Sequence, residues 1–361
     1  MSFDASLKIA LPLFPVDAKS IPSQAQVESS VHQLADQARG GDEDAIEILL
    51  NLSAGKSDST VSQTASRALL DLYGDPHLPP AARHAIGAQA SRLFETQQST
   101  SASRSGSKAR QSDQVVQIST PLLYLAGQYA HEKSYSALEK SIQATVLSRT
   151  PFSQLGPSAQ EPDLLTLGRF SRTEEMQAAT SGLKSLAIHT TCLELDPPSG
   201  ASSFTSQLNA LREKVDSAHK PMGAFVNVGN HWVTLLLVPG PGQPAKLHAM
   251  VIDSHLQRNE SRGSPALVKA VRTYLGARAG DIELLGDAMQ THAPNACGPL
   301  SVLMVKHVDR LLNTQSPSSF QSLVQEMQKQ IGSWQSFPPD SQKAVVIAER
   351  ARMLETIAPT Q

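Results

Sequence analysis

Three apolar runs follow one another between Gly223 and Ser254 with little between them: "GAFVNVGN", "HWVTLLLVPG" and "LHAMVIDS". The first alternates as a strand does, the second runs into the turn "PGPGQPAK", and the third ends on an aspartate and a serine. After them come a helical pattern closed by glycine, "SPALVKAVRTYLGARAG", a fourth strand-like run, "DIELLGDAM", and a loop that becomes a helix between Thr291 and Val308. Strand, strand, strand, helix, strand, helix is the order of an α+β domain, with helices packed on a mixed or antiparallel sheet. Upstream, "KSLAIHTTCLEL" reads as a short strand and "SSFTSQLNALREKVDSA" as a helix. Downstream, Phe320, Val324, Met327 and Ile331 mark one helix, and Val345, Ala348, Arg352 and Leu354 lie within another.

The first part of the chain has a different character. Val27, Val31, Leu34, Ala35 and Ala38 fall on one helical face, and Gly40-Gly41 ends that helix. Asp42 is placed to cap a second helix that buries Ile46, Leu49 and Leu50. Val61 to Leu72 form a third, closed by Gly74, and Ile86 to Phe94 a fourth. Residues 23–96 therefore read as an all-helical module that precedes the α+β part. Residues 1–22 are a candidate for disorder. The stretch 97–114, "QQSTSASRSGSKARQSDQ", has almost no apolar residue and reads as a flexible linker. That makes residues 115–361 the second domain.

The totals exclude several functions. The net charge is -2 with both signs mixed along the chain, which gives a nucleic acid no basic face to bind. No apolar run approaches the ~18 residues of a membrane span. Pro12 and Pro15 interrupt the patch from Ile9 to Phe14, and no basic stretch precedes it, so it does not read as a cleaved secretory signal. Two cysteines, Cys192 and Cys297, cannot make a disulfide framework, and a reducing compartment is the simpler reading.

Cys297 stands where the loop "THAPNA" becomes the helix "CGPLSVLMVKHV". A helix start offers free backbone N–H groups and the positive end of the dipole, and both favour a thiolate. Pro299 suits a first helical turn, and Gly298 leaves room beside the sulfur for a substrate backbone. A buried, inert cysteine is the competing reading of these local features. Upstream residues favour a nucleophile. His231 begins one predicted strand and Asp253 ends the next, so neighbouring antiparallel strands can bring carboxylate and imidazole together. A base oriented by a carboxylate and facing a thiol is the arrangement of cysteine hydrolases. Gln290, seven residues before Cys297, can join the backbone N–H at the cysteine in an oxyanion hole.

The ordered set "HW", "VIDS", "Q" and "NACG" before a helix resembles the clan CE cysteine proteases, the ubiquitin-like-protein-specific peptidases and their bacterial effector relatives. The resemblance covers roughly residues 225–308, with a looser fit back to about residue 115. It implies a papain-like core with His231 as general base, Asp253 as its orienting acid, Cys297 as nucleophile and Gln290 as oxyanion donor. It also implies that Trp232 covers a narrow tunnel for the C-terminal glycines of the substrate, and that neither metal nor cofactor is needed. The glutamine stands one residue farther from the cysteine than is usual in the family, so the loop bulges, or Thr291 or Asn295 shares its role. The second clamping tryptophan of eukaryotic members has no counterpart, because Trp334 lies beyond the cysteine. The helical module and Ser-rich stretch are most similar to the effector deubiquitinases of the SseL and ElaD type. That likeness implies ubiquitin or a ubiquitin-like modifier as partner, and delivery into a host cell, by type III secretion.

Other groups read as structural. His292 lacks a strand behind it, His248 falls on a strand face, His255 on a loop and His307 on a helix surface. Cys192 and His189 read as strand core, and with Cys297 they lack the paired spacing of a zinc site. Two alternatives to the peptidase remain. One is an acetyl-CoA-dependent acetyltransferase like the YopJ effectors, which commonly carry glutamate as the third residue and need a basic inositol-phosphate pocket. The other is an inactive adaptor.

Overall fold

In the computed structural model, residues 24–54, 60–104, 118–150, 171–183, 188–197, 199–229, 231–240, 246–256, 263–314 and 319–357 are described. By contact density the chain parts into two compact units, residues 1–166 with 350–361, and residues 167–349.

The first unit is helical: α1 (Gln24–Arg39), α2 (Glu43–Ser53), α3 (Thr60–Tyr73), α4 (Pro80–Arg104), α5 (Thr120–Glu132) and α6 (Ser136–Arg149). The apolar face of α1 is buried as its spacing requires, and Asp42 caps α2 by accepting from the N–H groups of Asp44 and Ala45. Two features depart from the sequence reading. Residues 97–104 belong to α4 and not to a linker. Such an extension needs no continuous apolar face, and a hydroxyl can bond back one turn, as Ser99 does to the Glu95 carbonyl. Residues 105–114 lie outside the described residues. The helices at 120–149 group with this unit rather than with the α+β half, because α5 is apolar on nearly every side from Leu122 to Ala126 and packs against α4.

The second unit is α+β. Its elements are α7 (Thr173–Gly182), β1 (His189–Glu194), α8 (Phe204–Ala218), β2 (Met222–Asn227), β3 (Trp232–Pro239), β4 (Leu247–Asp253), α9 (Ser264–Leu275), β5 (Ala279–Gly286), α10 (Cys297–Thr314), α11 (Phe320–Ser336) and α12 (Pro339–Ile357). The last turns of α12, from Arg350, count with the helical unit, where Arg352 pairs with Asp71. The five strands form one mixed sheet in the order β1-β2-β3-β4-β5. The outer pairs are parallel and the two central pairs antiparallel.

Alternation along β3 and β4 assigns the two faces. Val233, Leu235, Leu237, Leu247, Ala249 and Val251 pack with Leu208, Leu211 and Val215 of α8 and with Leu267, Val271 and Leu275 of α9. Leu236, Met250 and Ile252 pack with Leu300, Met304 and Val308 of α10 and with the apolar stripe of α11. Both faces are covered, so these strands read as near-continuous apolar runs. Each fully buried Leu, Ile or Val contributes about 1.5–3 kcal/mol.

The register has one consequence for the site. Glu194 is opposite Asn227, Asn227 opposite Trp232, and Asp253 opposite Gly286. The C-terminal ends of β1, β2, β4 and β5 and the start of β3 therefore share one edge of the sheet. Gly286 stands there because a side chain would collide with the Asp253 backbone.

Candidate active site

The site lies on that edge, where β3 and β4 meet the start of α10. The helix ladder begins with Leu300 donating to the Ala296 carbonyl at 3.0 Å, which leaves Cys297 in the first turn. Asn295 turns the chain into the helix with φ +57°, a left-handed conformation that Asn tolerates better than most residues. The Cys297 side chain lies close enough to the His231 ring to interact with it. On the other side of the ring, Nε2 lies 2.7 Å from Asp253 Oδ1, which leaves Nδ1 for the sulfur.

Asp253 is 1% exposed and fully engaged. Oδ1 also accepts from the His255 backbone N–H at 2.8 Å, and Oδ2 accepts from the hydroxyl of Ser264, the first residue of α9. Burial would raise the carboxyl pKa, but the His231, Ser264 and His255 donors outweigh it and hold the group below the ordinary carboxylate range. Burial would likewise lower the imidazole pKa of His231. Its interactions with Asp253 and Cys297 outweigh that, and the pKa rises to about 9. At neutral pH the ring is therefore an imidazolium, lying between the Asp253 carboxylate and the sulfur at the start of α10.

Gln290 is mostly buried on the loop between β5 and α10, and its amide Nε2 donates to the Ser254 hydroxyl at 2.9 Å. The same loop is tied to β4 by Met289 N–H donating to the Ser254 carbonyl at 3.0 Å. Trp334, of α11, donates its indole N–H to the Met289 carbonyl at 3.0 Å. Trp232 is buried, and its indole donates to the Ser171 carbonyl at 2.8 Å. The two tryptophans thus do the same work, each fixing a backbone carbonyl of a segment beside Cys297 or Gln290. Sequence reasoning set Trp334 aside because of its position in the chain, and missed Ser254 and Ser264. Only the "DS" pair and the serine opening α9 hinted at the latter two.

Gly298 also has a packing reason to lack a side chain. A side chain here would run into Ser171 and into Met176 of α7. The rival groups lie as follows. His255 is exposed, with its ring 6.2 Å edge-to-face from that of His231. His292 is partly buried on the loop before Cys297. His248 stacks on Phe320 and accepts from the Asp281 N–H. Burial and Arg310 lower the His307 pKa to about 4. Burial and Glu194 raise the Cys192 thiol to about 12, which makes it a poor nucleophile.

A mixed sheet covered by helices, with Cys, His and Asp converging at one edge, has the form of a papain-like cysteine hydrolase. The family model for ElaD/SseL-like C-terminal domains matches residues 162–350, just over half of the chain. The chain belongs to this family, whose type is the deubiquitinase protease. No curated protein matches the chain. The matched region begins close to the start of the second compact unit.

Proposed function

We propose that this protein is a thiol isopeptidase that removes ubiquitin or a ubiquitin-like modifier from conjugated proteins of a host cell, acting there as a secreted bacterial effector. The family membership supports the substrate class, and no described helix is long and apolar enough to cross a membrane. The observation that carries the mechanism is the shared imidazole: His231 holds Asp253 at 2.7 Å on Nε2 and also interacts with the Cys297 side chain.

In the proposed reaction the Cys297 thiolate attacks the carbonyl carbon of the modifier's terminal glycine. The developing oxyanion takes hydrogen bonds from the Gln290 amide and from backbone N–H at the start of α10, which have no acceptor within the helix. The His231 imidazolium gives its proton to the departing lysine amine, and a thioester remains on Cys297. His231, now neutral, removes a proton from water. The resulting hydroxide displaces the sulfur and releases the modifier with a free carboxylate. Asp253 keeps the ring oriented and stabilises its charged form throughout. Trp232, Asn295 and Gly298 are the residues proposed to receive the modifier's C-terminal glycines beside the sulfur, with Trp232 held in place by its bond to the Ser171 carbonyl.

The test is a panel of electrophile probes built on the C-termini of ubiquitin, SUMO and other ubiquitin-like modifiers. Labelling of the full chain, lost in Cys297→Ala, is the expected result, and the labelled probe names the modifier. Acetyl-CoA-dependent autoacetylation in place of labelling would make it an acetyltransferase. Silence in both assays would make it an adaptor.

A further inference from the structure

Beyond the four residues in the proposed machinery, we infer that Ser254 is a positioning residue that aims the Gln290 amide into the oxyanion site. The inference rests on the function proposed above. Gln290 lies on a turn, in neither helix nor strand, and its long side chain would otherwise sample several rotamers. An oxyanion donor contributes only if it is oriented before charge develops. The Ser254 hydroxyl supplies that orientation by accepting from Gln290 Nε2 at 2.9 Å. An amide nitrogen carries two hydrogens, so one bond to Ser254 leaves the other to give to an oxyanion.

The placement of Ser254 makes this more than a chance contact. It is 4% exposed and follows Asp253 directly, so residue 253 orients the base and residue 254 the oxyanion donor. Its backbone carbonyl accepts from Met289 N–H, one residue before Gln290, so the turn after β4 grips that loop through main chain and side chain together. The main-chain bond survives replacement of the hydroxyl. Ser254→Ala therefore removes the aim of the amide while the loop stays attached.

The experiment compares wild type, Ser254→Ala, Ser254→Thr, Gln290→Ala and the Ser254→Ala/Gln290→Ala double variant as full chains. The substrate is ubiquitin carrying a fluorogenic amide at its C-terminus, and NMR relaxation of the Gln290 side-chain amide is followed in the free protein. Ser254→Ala is expected to lower kcat by ~10-fold, less than the ~100-fold or more of losing a donor outright, with KM unchanged. Ser254→Thr should restore most of the rate. In the Gln290→Ala background the serine change should cost nothing further, and in Ser254→Ala the Gln290 amide should become mobile. Equal losses in both backgrounds, or an amide as ordered without the hydroxyl as with it, would overturn the inference. A Gln290→Ala variant with full kcat would instead sink the oxyanion role of Gln290. If no variant turns over the substrate, the proposed function fails, and the relaxation measurement alone decides whether Ser254 orders Gln290.

Discussion

His231 gives its Nε2 to Asp253 at 2.7 Å, so the nitrogen facing the nucleophile is Nδ1. The ring is thereby fixed in orientation, and its charge is stabilised from both sides. Its pKa near 9 follows from that geometry, not from exposure, since burial alone would act in the opposite direction.

The rate should fall as pH rises through about 9, because the imidazolium that protonates the leaving amine is then lost. The same shift has a stability counterpart. The folded-state pKa lies above the unfolded value of 6.5, so this contribution is complete below about 6.5 and disappears as pH rises through about 9. A profile of kcat/KM against pH with a basic limb near 7 would contradict it.

Replacing Cys297 by alanine should lower the His231 pKa, since the interaction with the sulfur raises it. Imidazole resonances followed through a titration of wild type and variant would show the difference. Identical titration curves would mean that the thiol does not interact with the ring.

Ser264→Ala removes one of the donors that hold the buried Asp253 carboxylate. It should cost about 1–3 kcal/mol, the usual penalty for leaving a buried polar group short of a partner. The carboxyl pKa should rise, so the acid-side loss of stability moves to higher pH, since this contribution is present above the unfolded pKa and is lost as pH falls. Urea unfolding at several pH values measures both effects.

Gly298→Ala should destabilise the protein by about 1–3 kcal/mol, because the new methyl meets Ser171 and Met176. Combining it with Ser171→Gly should recover part of the loss, since the Ser171 side chain is the nearest obstacle to the new methyl. Thermal unfolding of the two variants tests this.

A small alkylating reagent such as iodoacetamide should leave Cys192 unmodified near neutral pH, although that side chain is partly exposed. Burial and Glu194 hold its thiol up near 12, so almost none of it is thiolate. Peptide mass mapping after brief exposure reads that site.

Much of the α+β half was legible in the sequence because its information is local. The runs at 223–254 carry the apolar residues of strands with two covered faces, and Asp253 and His231 stand at strand ends that antiparallel pairing brings together. The anchors were illegible for the opposite reason. Trp334 reaches Met289 across 45 residues, and Trp232 reaches Ser171 across 61, with no spacing rule linking either pair. In the helical half, a Ser-rich composition does not by itself end a helix. A polar, Ser-rich segment such as 97–104 can continue a helix that apolar residues earlier in the chain have already nucleated.

The register also tells an experimenter where to attach things. Every proposed reacting group sits at one rim of the sheet, and the connection from β3 to β4 leaves from the other, beyond the pairing of Pro239 with Leu247. Seven residues of β4 separate the two rims, about 23 Å at the usual rise of a strand. A fluorophore or affinity handle grafted into that connection would report on substrate capture from a distance, leaving the chemistry to proceed undisturbed.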